Sequence, residues 1–217
     1  MTELNTLITA IQNFENHNLR KRIAELERDA DHQTSAQIAQ MLKENDINEV
    51  LLDNAFQLKK VAGQINVIVH TVGILLTIPY ILEEDEIIDY LSLGAGNTGR
   101  NFDLETDKRV AEFKFIQWRG GSDTIRENSL FKDLYNLVEY DTQKAKYMYV
   151  IGKDIPLNFL YGRRAISSVL SRNTRLWEDF QESYGERYKT VREYYTDKKD
   201  AVFLEDLREV APIFKDY

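Results

Sequence analysis

The chain has 217 residues, 43% hydrophobic and 29% charged, enough apolar material for one globular domain with a helical extension. It has no cysteine, which excludes disulfides and zinc–thiolate sites and fits a reducing, cytoplasmic setting. A net charge of −8 argues against a protein held to nucleic acid by its overall field, although a local basic groove is compatible with it.

Residues 1–62 read as an N-terminal helical region. "LITAIQNF" is apolar at helical spacing, "LRKRIAELERDADHQTSAQIAQML" is amphipathic with mixed charge, and "INEVLLDNAFQLKKVA" repeats the pattern before Gly63. Such helices more often serve packing or an oligomer contact than chemistry, so a homodimer through the helical regions is an expectation. The N-terminus lacks the charged-then-apolar order of a signal peptide.

Residues 63–217 read as an α/β domain. "INVIVHTVGILLTIPYIL" (65–82) is long enough to raise a membrane span, but Asn66, His70, three threonines and Pro79 favour a buried core helix, and no membrane partner is expected. "EIIDYLSL" (86–93) alternates like a strand. "NFDLE" (101–105) and "RVAEFKFIQW" (109–118) are also strand-like, the second apolar on both faces and therefore central in a sheet. A helix is expected over 122–141, with Asp123 as N-cap, apolar residues at 125, 130, 131, 134, 137 and 138, and a polar stripe of Asn128, Lys132 and Tyr135. "KYMYVIG" (146–152) is a further strand, and helices near 162–182 and 186–210 close the chain.

"GAGNTG" (94–99) fits G-x-G-x-x-G, but a strand follows where a dinucleotide site needs a helix, so it reads as a turn. The charges of the second hairpin strand are more informative. Glu112 and Lys114 share a face that also holds Val110 and Ile116, and buried charges require partners. If the hairpin turns through Thr106-Asp107, Asp103 lies opposite Val110. It is then a diagonal neighbour of Glu112, roughly 7–8 Å away on the same face. A register slip of one residue would reverse that face. Two carboxylates and a lysine could hold a divalent ion against a scissile phosphate. His17, His32 and His70 show no H-x-x-x-H spacing, so the ion would be hard and carboxylate-bound, Mg2+ or Mn2+.

Asp103, the eight-residue gap and Glu112-Phe113-Lys114 resemble the D-x(n)-(D/E)-x-K signature of the PD-(D/E)XK nuclease superfamily, with Phe102 in the place of its proline. The run "LSLGAGNTGR…FDLET…RVAEFKFIQWRGG…LFKDLY" is similar to uncharacterised, restriction-endonuclease-like members. The resemblance spans about ninety residues and implies an αβββαβ core with a mixed sheet. It implies Asp103, Glu112 and Lys114 as catalytic residues. Asp103 and Glu112 become metal ligands, joined by an acid near the first core helix (Glu83, with Glu84 and Glu86 as alternatives). The implied activity is metal-dependent cleavage of nucleic acid, DNA more than RNA. The alternative is an inert nuclease-fold binding or scaffold protein.

Candidates for holding substrate are Gln117 and Arg119 at the cleft rim, Asn128 and Lys132 on the following helix, and Arg163 and Arg164. The last two belong to an acid-free stretch (155–177) that also carries Arg172 and Arg175. Trp118 reads as packing more than as a base-stacking platform.

Overall fold

In the computed structural model, which describes residues 3–15, 17–94, 102–118 and 123–217, the chain forms two units, Met1–Asn66 and Val67–Tyr217. The first is a run of helices: α1 (Glu3–Glu15), α2 (Leu19–Ala30), α3 (Ser35–Glu44) and the opening half of α4 (Glu49–Ile81). Local chemistry sets their starts. Asn18 accepts from the Lys21 N–H, Thr34 and Gln37 form a reciprocal capping box, and Asn48 accepts from the Leu51 N–H. Positive φ angles at His17, His32 and Asp46 turn the chain between successive helices. Among the described residues of this unit Leu7 alone is fully buried, so little apolar surface is closed off inside it.

The second unit is built on a five-stranded mixed sheet in the order β1-β2-β3-β4-β5. β2 (Leu104–Thr106) runs antiparallel to both its neighbours, β1 (Ile88–Leu91) and β3 (Arg109–Lys114). Helix α5 (Thr124–Glu139) then crosses to β4 (Ala145–Val150), which lies parallel to β3. Helices α6 (Asp154–Leu160), α7 (Ile166–Leu170), α8 (Thr174–Tyr184) and α9 (Val191–Lys198) lead to β5 (Phe203–Asp206), parallel to β4, and to the short α10 (Leu207–Val210).

The alternation of β3 sorts two cores. Ala111 and Phe113 pack with Ile74, Leu104, Tyr149, Leu207 and Phe214 on one side of the sheet. Val110 faces the other, joining Met148, Leu130, Phe131, Phe180 and Tyr194. Each fully buried side chain of this kind contributes roughly 1.5–3 kcal/mol, so a strand apolar on both faces is driven to the centre. Gly73 lets α4 approach the sheet closely, since a Cβ there would sit 2.6 Å from the Phe115 ring.

Several expected elements differ. The helix expected over 65–82 begins sixteen residues earlier, because Lys59, Lys60 and Gly63 do not interrupt the ladder. It is also not a buried helix. Of its described side chains Gly73, Ile74 and Thr77 are fully covered, whereas Ile68, Val69, Val72, Leu75, Leu76 and Tyr80 form an open stripe. By length and composition it could cross a membrane, with a mean hydropathy of 1.8 over its most apolar window. Its covered face, however, is tied to the sheet: Thr71 donates to the Leu93 carbonyl at 2.6 Å, and His70 reaches Asp103. On α5, Ile125 is exposed and Tyr135 is buried beside Phe180 and Tyr194, so Tyr135 leaves the expected polar stripe. The two long helices expected near 162–182 and 186–210 are broken up: the first range holds α7 and α8, and the second opens with α9. Caps at Asn173 and Thr190 start the last two, and Gly185 at φ 54° ends α8. The strand β5 lies inside the region expected to be helical.

Candidate active site and basic cleft

Asp103 stands where β2 and β3 part. The ladder pairs Glu105 with Val110 and Leu104 with Ala111, two residues away from the expected register. The loop is therefore Asp107-Lys108, fixed by Thr106, whose hydroxyl accepts from the Lys108 and Arg109 N–H groups at 3.0 and 2.8 Å. Beyond Leu104 the ladder gives way. The Asp103 N–H donates to the Ala111 carbonyl, and its carboxylate, in place of a backbone carbonyl, accepts from the Phe113 N–H at 2.9 Å. The other carboxylate oxygen lies 3.2 Å from His70 Nε2, and the His70 ring meets Phe115 edge-on.

Glu112 and Lys114 turn towards α5. Lys114 Nζ lies 2.8 Å from Glu112 and 2.5 Å from Asp133, with both β3 side chains close to nine-tenths buried. The three expected site residues are thus neighbours but not one contact cluster: no hydrogen bond or ion pair joins Asp103 to Glu112 or Lys114. Burial is the largest influence on Glu112 and, with the Asp133 and Asp103 charges, outweighs Lys114 and lifts its pKa to about 7. For Lys114 burial opposes the charged form, but Asp133 and Glu112 overcome it and hold its pKa above the ordinary lysine value. Lys114 therefore keeps its proton.

Glu83 does not join them. It takes Lys108 Nζ at 2.8 Å at the hairpin turn, 63% exposed. Glu86 is closed in a two-point pair with Arg109, both contacts at 2.6 Å, and accepts from the Thr106 hydroxyl. It is a structural clamp, because a buried carboxylate survives only when its partners are fixed. Glu84 is exposed and contacts neither Asp103 nor Glu112. Two residues of the site went unread in the sequence, His70 and Asp133. Asp133 had a signal, a carboxylate set among the core positions Leu130, Phe131 and Leu134. His70 had one too, as the ionisable residue of the otherwise uncharged stretch 65–82.

Beside this cluster lies a cleft of about 340 Å³ that brings together Asn128, Lys132 and Arg164 with Arg172, Ser129 and Ser168. It abuts the charged cluster through one carboxylate. Asp133 receives the Ser129 hydroxyl at 3.3 Å and lies 3.8 Å from Lys132, while gripping Lys114. Arg164 is oriented by Glu127 at 2.7 Å, and Arg172 has no side-chain partner among the described residues. The Asn128 side-chain oxygen is buried without a hydrogen-bond partner among the described residues, an arrangement that costs about 1–3 kcal/mol unless a ligand relieves it. Arg163 does not share this cleft; it lines a separate depression with Arg187 and Arg192. Gln117 is exposed at the end of β3, its carbonyl accepting from Arg126 at 3.3 Å, and Trp118 packs against the core. Arg119, and the glycine loop beyond Gly94, lie outside the described residues.

Among the described residues no three His, Asp or Glu side chains form a ready-made metal cage. Mg2+ does not demand one, since it is commonly held by one or two carboxylates, waters and substrate phosphate. The donor chemistry suits such an ion. Two carboxylates, Glu112 and Asp133, hold Lys114, and the charges of Asp133 and Asp103 help push Glu112 towards neutrality. No protein-family model, no curated protein and no solved structure matches the chain.

Proposed function

We infer that the chain is a metal-dependent nuclease of the PD-(D/E)XK type, hydrolysing phosphodiester bonds of nucleic acid, DNA above all. One observation carries this reading: the lysine between Glu112 and Asp133 shares its carboxylate partner with the wall of a basic cleft. A strand lying on Lys132, Arg164 and Arg172 would bring its phosphates next to the buried charges.

Asp103 and Glu112 are the residues to hold Mg2+ or Mn2+. A bound ion would supply charge neutralisation at a phosphate oxygen and acidify water there. Asp103 is preorganised for this, since the Phe113 N–H and His70 fix its carboxylate while leaving lone pairs unused. Lys114, protonated and short of freedom, orients a phosphate oxygen and offsets charge developing on it. Glu112, with a pKa near 7, is suited to take up a proton when no ion occupies it. The element order α4-β1-β2-β3-α5-β4 supports the αβββαβ assignment, with β5 and the C-terminal helices as additions.

A second reading, a nuclease-fold binding protein without chemistry, draws on the saturation of Lys114 by two carboxylates. Cleavage of supercoiled, linear and single-stranded DNA and of RNA separates the two. The nuclease reading expects cutting in Mg2+ or Mn2+ that EDTA, Asp103→Ala and Lys114→Ala each abolish. Salt-sensitive binding without cutting by the wild type would leave the second reading in its place.

A further inference from the structure

Arg163 and Arg164 are consecutive, yet they line different hollows. The reason lies in the backbone around them. The Val191 N–H donates to the Arg164 carbonyl at 2.9 Å, the Arg192 N–H donates to the Gly162 carbonyl at 3.1 Å, and Ala165 bridges Thr190. The segment is thus pinned edge to edge against the start of α9, and alternate side chains leave on opposite sides. Arg164 goes to Glu127 and the cleft. Arg163 goes to a depression of about 780 Å³ shared with Arg187, Tyr188, Arg192 and Thr196.

That depression is open and positively charged in a chain of net charge −8. Its two acids are already engaged. Glu193 accepts from the Lys189 and Thr190 N–H groups, and Asp197 takes the Tyr188 hydroxyl and Arg187. Among the described residues, Arg163 and Arg192 have no side-chain partner. Two unpaired guanidiniums held side by side by a backbone ladder leave their donors available to anions with the planar geometry that fits phosphate.

We propose that Arg163, Arg187 and Arg192 form a second phosphate platform that extends the cleft, so that one nucleic-acid strand crosses the Arg163–Arg164 step and is held on both sides of it. The platform contacts backbone alone, giving affinity and a defined path without sequence preference. It rests on the nucleic-acid reading of the cleft, but not on cleavage.

The test is binding of labelled duplex and single-stranded oligonucleotides to the full chain in EDTA, as a function of salt. Replacing Arg163 and Arg192 by serine should leave the thermal melt unchanged, since neither guanidinium bonds to a described residue. The slope of log affinity against log salt should fall by roughly 1.8 for duplex, or roughly 1.4 for single strands, if each arginine meets one phosphate. Affinity at low salt should drop by roughly 10–100-fold, the gap closing as salt rises. Lysine at both positions should restore most of the slope, because the point charge remains. Unchanged slope and affinity in the serine double variant would overturn the platform while leaving the nuclease reading standing. A slope reduced in the serine double variant, with a wild type that never cuts, would support the platform without the chemistry. Absence of salt-dependent binding by the wild type would overturn the platform outright.

Discussion

Replacing Glu112 by glutamine should make the metal-free protein more stable at pH 8, and leave it unchanged near pH 4.5. Burial and two neighbouring carboxylates lift Glu112 from its ordinary 4.5 to about 7, so the folded chain binds that proton more tightly than the unfolded chain does. Between those values the folded state carries the extra proton, and stability declines as pH rises through the window; above about 7 the loss is complete. At 1.36 kcal/mol per unit, the penalty at pH 8 is about 3 kcal/mol. For a chain of this size it corresponds to roughly 6–12 °C in melting temperature. The amide keeps the volume and a hydrogen-bond acceptor for Lys114, which stays paired with Asp133. Urea or thermal unfolding of both proteins in EDTA, at pH 4.5 and pH 8, measures the difference. A variant no more stable than wild type at pH 8 would refute the electrostatics described for the cluster. Addition of Mg2+ should erase the variant's advantage, since the cation stabilises the carboxylate and has no equal purchase on the amide.

Gly73→Ala should destabilise the second unit by about 1–3 kcal/mol, because the added methyl meets the Phe115 ring at 2.6 Å and that ring is itself packed against Phe113 and Phe214. It should also reduce cleavage, since α4 carries His70 to Asp103; an unfolding midpoint equal to wild type would contradict the close approach. Arg109→Leu leaves Glu86 buried and unpaired, and should cost about 3–5 kcal/mol in chemical denaturation at pH 7. Adding Glu86→Leu should recover much of that, and failure of the double variant to recover would show that the pair is not the source.

Much of the sheet was legible because strand periodicity and burial agree. Val110, Ala111 and Phe113 made β3 central by sequence alone, and it lies between β2 and β4. Register was less legible, since it depends on a side chain. Thr106 accepting two backbone N–H groups shifts the loop by one residue and the pairing by two, an even shift that preserves the parity of the strand faces. Asp103 then escaped that logic altogether, because its carboxylate replaces a ladder partner and it sits in the fork between strands. The partners of Lys114 and Asp103 come from α5 and α4, contacts that span sequence distances no local pattern encodes. The open stripe of α4 defeats composition for a similar reason: apolar content says that a surface wants cover, not what covers it.

The most direct measurement of the central claim is anomalous scattering from a crystal soaked in Mn2+. The nuclease reading predicts a single strong peak between Asp103 and Glu112, about 2.1 Å from oxygens of both, with Lys114 Nζ released from Glu112. A crystal at saturating Mn2+ with no peak there, and Lys114 still bridging Glu112 and Asp133, would contradict it.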